Sequence, residues 1–155
     1  MSFRKEVMQA MVEKGYEVYI SVPYDKRFDA QVSEMGVKII DTEIDRRGIN
    51  PITDLKLIKH YKNMLKKVKP DVVLSYTIKP NLYGGLVCKW AKIPQLANIT
   101  GLGTAVENPG MLQKFVIGLY KCCLKNVRVM FFQNTANLEF CREHGMISGR
   151  PELIP

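Results

Sequence analysis

DVVLSYTIKPNLYGGLVCKWAKIPQLANITGLGTAVEN, residues 71–108, alternates short apolar runs with breaks marked by proline and glycine. Asp71 to Leu74 is an apolar run just after Pro70, which predicts the start of a buried strand. Ser75 to Lys79 turns polar and reads as a loop, with Pro80 at the first position of a helix. Leu82, Leu86, Val87, Trp90 and Ile93 then recur at helical spacing and predict a buried stripe, while Gly84-Gly85 keeps one side of the first turn slim. Ile93-Pro94 ends that helix, because a residue before proline is pushed out of the helical region. Leu96 to Ile99 predicts the next strand, and Thr100-Gly101-Leu102-Gly103-Thr104 the loop at its carboxyl end. Both loops would share one edge of a parallel sheet, the edge at which open α/β sheets bind ligands.

The rest of the chain repeats this alternation. Upstream, helices are expected over Ser2–Lys14 and Arg27–Met35, stopped by Gly15 and Gly36, and strands over Glu17–Val22 and Val37–Ile40. A charged loop, Asp41 to Pro51, leads into a helix capped by Thr53, with Leu57, Ile58, Tyr61, Met64, Leu65 and Val68 as its buried stripe. Downstream come an almost wholly apolar helix over Met111–Lys125, a strand over Val127–Phe132, a helix from Thr135 to His144 and a strand from Glu152. Near-continuous apolar strands between helices predict a Rossmann-like, doubly wound parallel sheet covered on both faces. The chain opens with a helix, whereas a doubly wound unit normally opens with a strand.

A length of 155 residues with 46% hydrophobic residues fits one domain with a real core. No apolar run approaches the roughly 18 residues of a membrane span. The four cysteines lack C-x-x-C spacing, which fits reduced thiols in the cytoplasm. Two histidines far apart in sequence make a metal site an unpromising expectation, so none is assigned. The net charge of +8 suits an anionic partner, such as nucleic acid, a phosphorylated substrate or a membrane surface, and equally a solvated lysine-rich face. Nothing in the chain has a recognition-helix pattern or interleaved surface aromatics, so no nucleic-acid partner is expected.

Thr77, Lys79, Asn81 and the loop 101–104 bring hydroxyls, an ammonium, an amide and backbone N–H groups to one edge, a set suited to oxyanions and sugar hydroxyls. The same residues also read as an ordinary capped helix start. Gly101 and Gly103 do not form G-x-G-x-x-G, because the sixth position is Val106, and no Walker A loop is present. Arg46 and Arg47 form a pair of guanidiniums in a turn, fit for a phosphate or anion, or for an exposed ion-pair loop. Glu107 is the only carboxylate close to the glycine loop and reads as an acid–base candidate or a surface charge. Asn134 is expected to cap the helix at Thr135.

The run KPDVVLSYTIKPNLYGGLVCKWAKIPQLANITGLGTAVEN, preceded by DRRGINPITDLKLI and followed by VMFFQNTANLEF, resembles the N-terminal domain of family 4 glycosyltransferases. More narrowly it is similar to the branch serving bacterial capsular polysaccharide and lipopolysaccharide synthesis. The resemblance spans essentially all of residues 1–155 and implies the N-terminal half of a GT-B fold, without that fold's first strand and without the C-terminal, donor-binding domain. It implies retaining transfer of a sugar from a nucleotide-sugar, a co-substrate held mainly by the other domain, to a lipid-linked or glycan acceptor. No cofactor and no metal are implied, and the chain alone is expected to be inactive.

On this reading Thr77, Lys79, Asn81, Thr100, Gly101, Gly103, Thr104 and Glu107 become acceptor-binding candidates. No catalytic residue carries over. Many relatives have a histidine in the loop after the strand matching Leu96–Ile99, where this chain has Thr100, and threonine bonds rather than transfers protons at neutral pH. The resemblance also implies a cytoplasmic protein at the inner face of the cell membrane, with the lysines of helix 53–68 and the apolar helix 111–125 in peripheral contact. The rival expectation is a small flavodoxin-like module that binds a phosphorylated ligand and is not an enzyme. Such a module predicts a complete sheet within these residues.

Overall fold

The computed structural model describes residues 2–45, 50–103, 106 and 109–154. The order is α1 (Ser2–Glu13), β1 (Tyr19–Val22), α2 (Lys26–Glu34), β2 (Lys38–Asp41), α3 (Pro51–Val68), β3 (Val73–Tyr76), α4 (Gly85–Ala91), β4 (Gln95–Ile99), α5 (Met111–Cys123), β5 (Val127–Phe132), α6 (Thr135–Glu143) and β6 (Arg150–Leu153). A π-type turn, Pro80–Gly84, leads directly into α4. Strands and helices alternate, as the apolar runs and breaks predict.

The chain divides into two compact units, Met1–Leu57 and Ile58–Pro155. In the first, β1 and β2 pair in parallel, Tyr19 opposite Lys38 and Val22 opposite Asp41. Met8, Val32 and Val37 form its small core. The strands stay half-exposed along their length, unlike the buried interior strands of a full parallel sheet.

The second unit holds a parallel sheet in the order β3-β4-β5-β6. Its core gathers Leu82 from the π-type turn, Ala97 and Ile99 from β4, Tyr120 and Cys123 from α5, Met130 and Phe132 from β5, and Cys141 from α6. Within its own unit β1 pairs with β2, and β3 with β4.

Three local expectations are corrected. Asn50, not Thr53, caps α3: its Oδ1 accepts the Ile52 N–H at 3.0 Å, and the Thr53 hydroxyl donates to the Asn50 carbonyl at 2.8 Å. Pro51 then occupies the first helical position, where its missing N–H costs nothing. Second, β3 extends to Tyr76, so Ser75 belongs to a strand and not to a loop. Ser75 is buried because its hydroxyl accepts the Gln95 Nε2–H at 2.7 Å, which satisfies a polar group inside the sheet. Third, Trp90 falls on the apolar stripe but is 57% exposed, while Leu82 and Val87 of the same stripe are buried. It stands at the last turn of α4, on the margin of an open groove that residues of α3 also line. The expected cap at Asn134 is observed, its Oδ1 accepting the Asn137 N–H at 2.8 Å.

Candidate functional site

Two adjacent parallel strands deliver the candidate site. Tyr76 pairs with Asn98, so the segments that follow them leave the sheet side by side at its carboxyl edge. The loops touch: a Cβ built on Gly103 would lie 2.8 Å from Ile78 Cδ1, and Gly103 has φ +80. The positive φ favours glycine there, and any larger residue would also displace the end of the Ile78 side chain. The sequence expectation that both loops share one edge holds.

Thr77 has φ +68, left-handed backbone that a β-branched residue rarely adopts. Such strain costs of order 1–3 kcal/mol and tends to persist at functional sites. It turns the chain from β3 into the helical turn, where the Asn81 N–H donates to the Thr77 carbonyl at 3.0 Å. The π-type turn follows at once, a wide turn frequent at functional sites.

Below this rim lies a buried polar cluster that holds the two strands and the turn in register. Gln95 Nε2 donates to Ser75 Oγ at 2.7 Å and to the Asn81 carbonyl at 3.2 Å. Asn81 Nδ2 donates to the Asn98 carbonyl at 2.9 Å. The Oδ1 atoms of Asn81 and Asn98 are buried without a protein partner. Each such acceptor costs about 1–3 kcal/mol if left dry. Gly85 belongs to the same arrangement, since a Cβ there would meet Gln95 Oε1 at 2.7 Å and the Cys123 carbonyl oxygen at 2.8 Å.

The expected residues therefore separate. Thr77 and Thr100 are exposed at the rim, with Lys79, Gly101 and Gly103 half-buried beside them. Asn81 is 2% exposed and serves the internal network beneath the loops. Thr104, Glu107, Arg46 and Arg47 lie outside the described residues. Ser75, Gln95 and Asn98 had no place in the sequence reading. Their signal is polar side chains inside or at the ends of apolar strand runs on two neighbouring strands.

The rim offers hydroxyls, one ammonium and backbone donors, a set for binding oxygen-rich ligands and not for proton transfer. The buried thiols add no nucleophile, because burial pushes Cys88 and Cys141 up to about 12 and Cys123 to about 11. No cluster of three or more metal-ligating side chains occurs among the described residues.

Helix-covered parallel strands define a Rossmann-like α/β domain, a class whose ligands generally bind at the carboxyl edge of the strands. The chain belongs to the family described as glycosyl transferase 4-like, whose model matches residues 2–134. A curated relative, the N,N'-diacetylbacillosaminyl-diphospho-undecaprenol alpha-1,3-N-acetylgalactosaminyltransferase of Campylobacter jejuni, is 34% identical over 149 residues. The match takes in 93% of this chain and 39% of that protein, so the chain spans about two fifths of the relative's length.

Solved structures of similar fold include MurG of Acinetobacter baumannii, with TM-score 0.59 and 14% identity over 96% of this chain and 40% of that one. A Listeria monocytogenes protein described as a UDP-N-acetylglucosamine 2-epimerase gives TM-score 0.60 at 14% identity, over 92% of this chain and 38% of its own. UGT73P12 of Glycyrrhiza uralensis, in complex with glycyrrhetinic acid 3-O-monoglucuronide, gives TM-score 0.56 at 10% identity over 97% of this chain and 46% of its own. At these identities the likeness is one of fold.

Proposed function

We propose that this chain is the acceptor-binding domain of a retaining glycosyltransferase that moves a sugar from a nucleotide-sugar to a diphosphoprenyl-linked sugar in cell-surface glycan synthesis. One observation carries the reading: 34% identity along 93% of the chain to a transferase whose named acceptor is a sugar on diphospho-undecaprenol. The rim at Thr77, Lys79, Thr100, Gly101 and Gly103 fits such an acceptor chemically, hydroxyls and backbone donors facing sugar hydroxyls and one ammonium facing a diphosphate. Thr104 and Glu107 extend that rim in sequence, and Arg46 and Arg47 remain candidates for the diphosphate. The donor nucleotide-sugar is held elsewhere, no cofactor or metal takes part, and the chain alone binds acceptor without turning it over.

The acceptor's lipid fixes where the protein works. No helix of the described residues is long and apolar enough to cross a membrane. Instead Met111, Leu112 and Phe115 of α5 are 90%, 58% and 68% exposed, with Lys114, Lys121 and Lys125 on adjoining turns. An exposed apolar lane beside a lysine lane suits a helix lying in an anionic membrane surface, here the cytoplasmic face.

Equilibrium binding of a short-chain diphosphoprenyl N-acetylhexosamine tests the reading. The wild-type chain should bind it, and Thr77→Val with Thr100→Val should weaken binding about tenfold, the loss of one to two hydrogen bonds. Equal binding by the double variant would remove the rim from the proposal.

A further inference from the structure

At the amino ends of β3 and β4, across the sheet from the acceptor rim, a groove of ≈ 350 Å³ opens between the ends of α3 and α4. Leu65, Val87 and Ile93 form its apolar floor, and Trp90 stands at its margin. Lys62, Lys66 and Lys69 wall one side, and among the described residues no acidic side chain lines it. The strand length places it roughly 15 Å from the rim at Thr77 and Thr100. The acceptor reading does not use it.

Part of that positive charge has a local task. Lysines in the last turn of a helix offset the partial negative charge at its carboxyl end, about half an elementary charge per helix. Two helix ends thus account for about one of the three charges, and the surplus faces the groove. The backbone adds a second observation. Lys69 and Lys92, which follow the last turns of α3 and α4, both have left-handed φ, +51 and +59. Glycine ordinarily closes helices in this conformation, and a side chain there costs about 1 kcal/mol. Of the three non-glycine positive-φ residues described, Lys69 lines the groove, and Lys92 lies in sequence between its lining residues Ala91 and Ile93.

We infer that the groove docks an acidic amphipathic segment of a partner protein, its apolar side chains against Leu65, Val87 and Trp90 and its carboxylates on Lys62, Lys66 and Lys69. The volume sits at the low end of the range for ligand sites, about 300–1,000 Å³, and suits a few anchoring side chains. Its concave shape favours inserted side chains over a flat bilayer. A second copy of this chain is disfavoured by the net charge of +8.

Trp90 is the only tryptophan of the chain, so its emission reports on the groove directly. The probe is an amidated 14-residue helical peptide with leucines along one face and glutamates elsewhere, alongside its glutamine counterpart. The glutamate peptide should give a saturable blue shift, and the glutamine peptide should bind at least about tenfold more weakly. Lys62→Glu with Lys66→Glu should cost a similar factor. Lys69→Gly should weaken binding about threefold while raising the urea midpoint, because it relieves the left-handed strain; a misfolded variant would do the opposite. The inference is overturned by no saturable shift up to about 1 mM peptide, by equal binding of both peptides, or by full affinity in Lys69→Gly. It is equally overturned if decanoate or anionic vesicles shift the emission and the glutamate peptide does not.

Discussion

Gly85→Ala is the sharpest probe of the packing beneath the acceptor rim. In an open helical site the change stabilises by about 1 kcal/mol through helix propensity. At Gly85 the new methyl would sit 2.7 Å from Gln95 Oε1 and 2.8 Å from the Cys123 carbonyl oxygen. The carbonyl belongs to the backbone of α5 and cannot swing aside. Gln95 is 2% exposed and tied to Ser75 and Asn81, so it cannot leave without breaking bonds worth about 1 kcal/mol each. Overpacking costs typically 1–3 kcal/mol. The net expectation is a loss of about 2 kcal/mol in the unit Ile58–Pro155. Urea unfolding followed by Trp90 emission measures it, since that residue lies in the same unit. Gly118→Ala on α5 is the internal comparison. Nothing lies within 4 Å of its added methyl, so it should stabilise by about 0.5–1 kcal/mol. If Gly85→Ala matches Gly118→Ala in sign, the close approach of α4 to Gln95 and α5 is refuted.

Thr77→Gly should raise stability by about 1 kcal/mol through relief of its left-handed strain, yet weaken acceptor binding; a stability loss in urea titration would show that the strain is absent. Three buried thiols, Cys88, Cys123 and Cys141, have folded values raised by burial above the ordinary value near 9, so stability is intact below pH 9 and falls as pH rises towards 11–12. Each thiol should cost on the order of 1 kcal/mol at pH 10, and Cys141→Ala should flatten the urea-against-pH curve, whereas an unchanged curve would contradict the burial. Of the four thiols, exposed Cys122 alone should react rapidly with a disulfide reagent in the native chain, and rapid labelling of more would refute the packing. Phe115→Ser with Met111→Ser should abolish co-sedimentation with anionic vesicles, and equal wild-type binding to neutral vesicles would remove the role of the α5 lysines.

What the sequence disclosed was governed by periodicity. Near-continuous apolar runs at β4 and β5 and glycine stops at Gly15 and Gly36 announce a parallel α/β order, because each pattern has one inexpensive backbone solution. The shared edge of the two loops follows from strand adjacency alone. Trp90 shows the limit of the same logic. Helical spacing tells which face a residue occupies, not whether anything covers that face at the helix end. Ser75 and Gln95 were hidden for a related reason: a polar residue at the end of a short apolar run reads as a loop unless its hydrogen-bond partner on the next strand is known. The left-handed backbone at Thr77 was unreadable, since β-branched residues argue against it. The burial of Asn81 beneath the loops depends on a hydrogen bond to Asn98 that no spacing encodes.

The most direct test of the acceptor-side reading is a pair of amide NMR titrations on the isotopically labelled chain, one with a soluble diphosphoprenyl N-acetylhexosamine and one with a UDP-sugar. The account predicts saturable shifts for the first ligand at Ser75–Asn81 and Thr100–Gly103, and none of comparable size for the second. Saturable shifts from the UDP-sugar at that edge, with the prenyl-linked sugar leaving it unmoved, would contradict it.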